Sequence, residues 1–331
     1  MPAGNRTVRA LGLCSGGLDS MLSALVLRQQ GIEVHWVSFE TPFFSSGKAQ
    51  KASKHTGIPL MVRKITPVYM EMMRSPSVKF GKNMNPCMDC HTLMFRLAGE
   101  IMVDRGFDFL FSGEVLGQRP MSQTRTSLRY VEKHSGHEGY IVRPLSAKKL
   151  PETLPEKEGL VDREQLLDFS GRSRKPQLQL AESFGVTDFP APAGGCLLTD
   201  KIFSRRLKDL FDHQATYPEK DLDLLKFGRH MRLDSQTKLV VGRTQKDNEQ
   251  ISRCIDHEAD MVLKTAEFPG PLVVMPGGGS EAMTMLAAGI CAGYSKAPNH
   301  SEVVVNVQEG RRHRQVTVLG IPPAVIKRYL I

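Results

Sequence analysis

Two short stretches of this chain hold residues that could do chemistry, and each is an incomplete set. Cys87 and Cys90 stand two residues apart in "NPCMDCH", residues 85 to 91. That spacing opens a structural zinc site, yet no second C-x-x-C and no H-x3-5-H follows in the sequence. His91 adjoins Cys90 and is poorly placed to share one ion with it. A lone Cys196 comes much later, in "PAPAGGCLLTD" at 190 to 200, among glycines small enough to let a bulky group approach. The other stretch is "SGGLDS", Ser15 to Ser20. Glycines there let the backbone come close to phosphate, a helix start supplies N–H donors and partial positive charge, and two serines add hydroxyls. The loop has neither the Walker spacing nor the G-x-G-x-x-G of dinucleotide folds.

These residues need a frame. "RALGLCSGGLDSMLSALVLRQQG" reads as a strand, a glycine turn and an amphipathic helix from about Asp19, with Gly31 as its stop. The strand "EVHWVSFET" follows at once, then a helix around Ser46 to His55 and a further strand in "IPLMVRKI". "HTLMFRLAGEIMVDRG" has helical spacing, and "FDFLFSGEVLGQR" is a strand running into a loop. Strand–helix alternation of this kind builds an α/β, doubly wound parallel sheet with its ligand crevice at the strand carboxyl ends. Short helices are expected around Glu164 to Leu167, Pro176 to Phe184 and Phe203 to Phe211. The expected organisation is a catalytic domain over 1–200, a helical connector over 201–235 and a smaller α+β domain over 236–331. The last of these closes on two β-branched runs around the basic turn of "VVVNVQEGRRHRQVTVLG".

Composition narrows the class. Of 331 residues, 40% are hydrophobic and 24% charged, which describes a folded chain and excludes a disordered or fibrous one. Six cysteines at irregular spacing do not make a secreted disulfide framework. Cys14, Cys254 and Cys291 lie in apolar surroundings and read as small buried hydrophobes. The most lipid-like stretch, "EAMTMLAAGICAGY", is too short for a hydrocarbon layer of ~30 Å, so a cytoplasmic protein without a membrane partner is expected. Lys and Arg exceed Asp and Glu by 44 to 35 and gather in "SAKK", "GRSRK", "SRRLK", "FGRHMR" and "EGRRHR". Such clusters suit a polyanion, whose phosphates supply binding free energy through counterion release.

S-G-G-x-D-S after the first strand closely resembles the PP-loop of the ATP pyrophosphatases. The resemblance implies that Ser15, Gly16, Gly17, Asp19 and Ser20 hold the pyrophosphate of ATP, that Asp19 faces Mg2+, and that the backbone around Phe39 meets adenine. "NPCMDCHTLMFRLAGEIMVDRGFDFLFSGEVLGQR" narrows it further, since it is similar to the corresponding segment of PP-loop tRNA thiolases; in their 2-thiouridylase branch the cysteine aligned with Cys90 is catalytic, and its partner there, in a C-x-Y-R-type motif, is missing from this sequence. Cys87, Cys90 and Cys196 together resemble the three-cysteine iron-sulfur sites of cluster-dependent thiolases, closest to those assigned to 4-thiouridine formation. Three thiolates leave one iron of a 4Fe-4S cluster without a protein ligand, open to hydrosulfide. A persulfide relay between Cys90 and Cys196, as in wobble-position 2-thiouridylases, a structural zinc in a non-catalytic RNA module, and three unrelated cysteines stay open beside it.

The implied activity is a tRNA-uridine sulfurtransferase that uses ATP to adenylate a uridine carbonyl, converting a poor leaving group into AMP. Ser112, Gly113, Glu114 and Gln118 would stand at the crevice mouth, with Arg119 and Arg125 meeting phosphate and Lys148 and Lys149 facing tRNA. Sulfide or a sulfur-donor protein would supply the sulfur, and a homodimer is compatible with all of this. Residues 236–331 resemble the NFACT-R type RNA-associated domain in "VVGRTQKDNEQI" and "GPLVVM". No THUMP-like segment precedes the PP-loop in this sequence, so capture of tRNA is expected of that basic module.

Overall fold

A computed structural model describes residues 6–191 and 196–331. The chain divides into two compact units, one through Thr199 and the other Asp200–Ile331.

The first unit runs β1 (Arg9–Leu13), α1 (Leu18–Gln29), β2 (Glu33–Glu40), α2 (Gly47–Thr56), β3 (Leu60–Lys64), α3 (Thr66–Arg74), α4 (Cys87–Arg105), β4 (Phe109–Ser112), α5 (Arg125–His134), β5 (Ile141–Val142), α6 (Leu154–Lys157) and α7 (Lys175–Ser183). The five strands pair in the order β3-β2-β1-β4-β5, all parallel. The order reverses at β1, so chain leaving β1 and chain leaving β4 meet at one crevice, the switch point where such sheets bind ligands. The sheet is apolar through its centre, as burial on both faces demands: Ala10, Leu11, Trp36, Val37, Phe109 and Phe111 are fully buried. Helix α1 packs on α7, and α4 on α5.

The expected doubly wound sheet is therefore present, with local differences. Helix α4 begins at Cys87 itself, so both cysteines of the pair lie in its first turn. The helix expected around Glu164 is only a 3-10 turn, Arg163–Gln165, held by the Asp162 carboxylate on the Glu164 N–H. Helices α3 and α5 were not foreseen. The first starts at Thr66-Pro67, with proline in its first turn, and the second is capped by Thr124, whose hydroxyl accepts from the Ser127 N–H.

The second unit runs α8 (Lys201–His213), α9 (Glu219–Leu224), β6 (Arg229–Arg232), β7 (Lys238–Val241), α10 (Gln245–Ser252), β8 (Met261–Thr265), β9 (Val273–Met275), α11 (Glu281–Gly293), β10 (Glu302–Glu309), β11 (Arg312–Leu319) and α12 (Pro323–Ile326). Its six strands form one antiparallel sheet, β11-β10-β8-β9-β7-β6. The apolar stretch from Glu281 is α11, which packs on β8, β10 and β11 and buries Ala287, Ala288, Ile290 and Cys291. It is a core helix, and among the described residues no helix is long and apolar enough to cross a membrane.

Two of the basic clusters in this unit work internally. Arg206 is buried and donates to the Leu225 and Gly228 carbonyls at 2.7 and 2.9 Å, and Arg232 pairs with Asp209 at 2.7 Å. "EGRRHR" instead forms the β10–β11 turn, with Arg311, Arg312 and His313 exposed.

Candidate active site

At the switch point the phosphate loop is tied to itself by its serines. Ser15 Oγ lies 3.1 Å from Ser20 Oγ, the Gly17 N–H donates to Ser15 Oγ at 3.3 Å, and Ser20 Oγ donates to the Gly17 carbonyl at 3.0 Å. Helix α1 begins after Gly17 with no side-chain cap, so its first N–H groups are left to an anion. Gly16 has φ of +71°, and a Cβ there would fall 2.1 Å from the Lys48 carbonyl carbon, where α2 starts. Only glycine permits that approach. Phe39 is buried near the end of β2, and Ser112 is buried at the end of β4.

Asp19 sits at the centre. Its Oδ2 accepts from Gln118 Nε2 at 3.0 Å, while its Oδ1 is buried with no hydrogen-bond partner among the described residues. Burial raises its pKa, against the pull of Gln118, Arg174 and Arg119. The unpartnered carboxylate oxygen fits a cation, and the two guanidiniums beside it fit the phosphates such a cation accompanies. Arg174 was visible in the sequence only as one member of "GRSRK", and the structure brings it to Asp19. Its Nε is buried with no partner among the described residues.

A buried charge network stands next to the loop. Glu114 Oε1 lies 2.9 Å from His91 Nδ1, and its Oε2 accepts from Arg143 Nε and Ser112 Oγ, each at 3.1 Å. Arg143 also reaches Glu132 Oε2 at 3.5 Å. Burial alone would raise the Glu114 pKa, but Arg143 and His91 outweigh it and hold the group down at about 2. It is a fixed carboxylate that orients the His91 ring.

The chain brings Cys196 to the Cys87–Cys90 pair. The Leu197 N–H donates to the Phe43 carbonyl at 3.3 Å, and Asn83 Nδ2 donates to the Thr199 carbonyl at 2.6 Å, which ties the segment after Cys196 to the loop before Cys87. Asn85 Nδ2 reaches Cys87 Sγ at 3.5 Å. Burial pushes the Cys90 thiol up to about 12 and Cys196 to about 11. A charge on Cys87 would raise both further, and one on Cys196 would also raise Cys90. All three are free cysteines. Gly194 and Gly195, expected to give access to Cys196, lie outside the described residues. Among the described residues no group of three or more His, Cys, Asp or Glu side chains is arranged to hold a single metal ion. Of the other cysteines, Cys14 and Cys291 are buried as expected, whereas Cys254 is half-buried against the apolar cluster around Ile251.

The residues expected to meet RNA separate. Arg125 is exposed and donates to the Lys149 carbonyl at 3.1 Å, Lys148 donates to the Glu164 carbonyl at 2.7 Å, and Lys149 lies 3.9 Å from Asp168. Those three share one surface. Arg119 instead lies within electrostatic reach of Asp19.

Residues 6–151 match the family of the thiamine biosynthesis protein ThiI, and residues 228–330 match the NFACT protein RNA binding domain. Two family models thus match separate stretches of the chain. The stretch matching ThiI contains the loop at Ser15–Ser20, the cysteine pair, Glu114, Glu132 and Arg143, while Arg174 and Cys196 lie beyond it. A tRNA sulfurtransferase of Desulfurococcus amylolyticus (strain DSM 18924 / JCM 16383 / VKM B-2413 / 1221n) is 27% identical over 169 residues, 50% of this chain and 32% of that protein. The chain therefore spans about a third of the length of that relative. Among solved structures, a predicted subunit of tRNA methyltransferase from Methanocaldococcus jannaschii DSM matches at TM-score 0.34 and 15% identity, covering 53% of this chain and 76% of that one. The C-terminal part of the fibronectin/fibrinogen-binding protein from Streptococcus suis matches at TM-score 0.29 and 13% identity, covering 80% and 98%.

Proposed function

We propose that the protein is an ATP-dependent tRNA sulfurtransferase that adenylates a uridine carbonyl and replaces its oxygen with sulfur delivered at Cys87, Cys90 and Cys196, giving 4-thiouridine. The observation that carries the reading is a continuous path between the two halves of the chemistry. Cys196 lies with Cys87 and Cys90, the adjoining His91 bonds Glu114, and the neighbouring Gly113 packs against Asp19 in the phosphate loop.

The loop N–H groups, Arg119 and Arg174 would bind the triphosphate, and Asp19 Oδ1 would hold Mg2+. The uridine oxygen attacks the α-phosphorus, pyrophosphate leaves, and AMP then departs as sulfur takes its place on the ring carbon. Positioning and preorganised charge are the protein's main contributions. Glu114, kept ionised by Arg143, fixes His91 at the border between nucleotide and cysteines. The exposed arginines of the β10–β11 turn, with Arg125, Lys148 and Lys149, offer charge to the tRNA backbone.

We read the three cysteines as ligands of an iron-sulfur group. Burial raises the thiols of Cys90 and Cys196. Coordination to a cationic cluster would deprotonate such thiols. Bound through the three thiolates, a 4Fe-4S cluster would supply activated sulfur from sulfide or a donor protein.

The test is nucleoside mass spectrometry on tRNA incubated anaerobically with ATP, sulfide and the reconstituted protein. Wild type should form 4-thiouridine, Asp19→Ala should keep its iron and form none, and Cys196→Ala should lose both. Full thiolation by Cys196→Ala would overturn the assignment.

A further inference from the structure

Beside the three thiols lies a tyrosine to which no role has been given. Tyr69, on α3, is fully buried, and its ring packs against Phe43 at 5.7 Å and Phe44 at 5.4 Å. Phe43 is the residue whose carbonyl receives the Leu197 N–H, one position after Cys196. On its other side α3 packs against α4, which carries Cys87 and Cys90 in its first turn. Among the described residues the Tyr69 hydroxyl has no hydrogen-bond partner, and leaving a buried hydroxyl unpaired costs about 1–3 kcal/mol. Burial, then the charges that Cys90, Cys196 and Cys87 would carry, raise its pKa well above normal, with Cys90 close enough to interact directly.

We propose that Tyr69 is a positioning residue of the sulfur site, donating its hydroxyl proton in a hydrogen bond to Cys90 Sγ and so drawing electron density from that sulfur. The inference deepens the sulfurtransferase reading and rests on it. A phenol is suited to the task, because it presents one donor at the end of a rigid apolar ring without bringing a charge or water into the site. Hydrogen bonds to ligating sulfurs are among the factors that set cluster reduction potential. Tyr69 therefore tunes the site through Cys90 without touching tRNA or ATP.

Tyr69→Phe keeps the ring and removes only the donor. In the metal-free protein, site-resolved iodoacetamide alkylation at one fixed pH should slow several-fold at Cys90 in this variant, with Cys254 unchanged as internal reference. An unaltered or faster rate at Cys90 overturns the proposal. In the reconstituted protein the variant should retain its iron and show a more negative midpoint potential, while an unchanged potential counts against the proposal. If wild type takes up no iron at all, the cluster reading falls by itself, and the alkylation rates still decide the role of Tyr69.

Discussion

Gly113 lies against Asp19 so closely that a Cβ at position 113 would stand 2.4 Å from both the Asp19 carbonyl carbon and its oxygen. The strand-end turn after β4 and the first turn of α1 are thus in backbone contact. Gly113→Ala cannot be absorbed by a flexible side chain, because backbone is what it meets. Overpacking of this kind costs typically ~1–3 kcal/mol. The expected outcome is a loss of at least tenfold in kcat/KM for pyrophosphate release, with a fall in thermal midpoint of a few degrees, read by a coupled pyrophosphate assay and calorimetry. Activity and midpoint equal to wild type would show that the two turns are not held together in this way.

Arg174 and Arg125 provide a contrast between two arginines. The first reaches Asp19 and leaves a buried Nε with no partner among the described residues, while the second is exposed on the surface with Lys149. Arg174→Gln should weaken ATP binding by about tenfold or more, the loss of a charge-assisted contact to phosphate. Arg125→Gln should leave ATP affinity unchanged and weaken tRNA binding in a salt-dependent manner. Calorimetric titration with a non-hydrolysable ATP analogue and filter binding with tRNA separate the two, and equal effects on ATP would contradict the assignment.

The Glu114–Arg143 pair predicts an acid limb of stability. The folded-state pKa of Glu114, about 2, lies below its ordinary 4.5, so the unfolded chain binds the proton more readily. The resulting stabilisation is complete above pH 4.5 and is lost as pH falls through the interval toward 2. Its size is on the order of 3 kcal/mol. Glu114→Gln should flatten that part of the pH–stability profile and destabilise the protein near neutrality, because buried Arg143 then keeps, among the described residues, Glu132 alone as a charged partner. An unchanged slope between pH 5 and 2 in denaturant titrations would refute the role of this pair.

Much of this was legible in the sequence, for a physical reason. The β1–loop–α1 segment declares itself because period-2 and period-3.6 apolar patterns meet at glycines that a phosphate loop requires, and Gly31, with φ of +76°, ends the helix where its type predicts. Cys196 was legible as a third thiol, and its neighbourhood with the pair is a tertiary property carried by Asn83, Phe43 and the backbone between them. Tyr69 and Arg174 were not legible as site residues. One is an aromatic in an amphipathic helix and the other an arginine in a basic run, both ordinary until the fold places them. The roles of Arg206 and Arg232 were hidden in the same way, since a basic cluster reads as surface charge whether or not its members turn inward to carbonyls and Asp209.

The most direct measurement is the iron and sulfide content of anaerobically reconstituted wild type beside Cys87→Ala, Cys90→Ala and Cys196→Ala, with the fold of each checked by circular dichroism. Wild type should carry about four irons per chain with the broad visible absorbance of a cubane cluster, and each single replacement should reduce this several-fold with the fold intact. A Cys196→Ala protein that keeps the full iron content and the same spectrum would contradict the account at its centre.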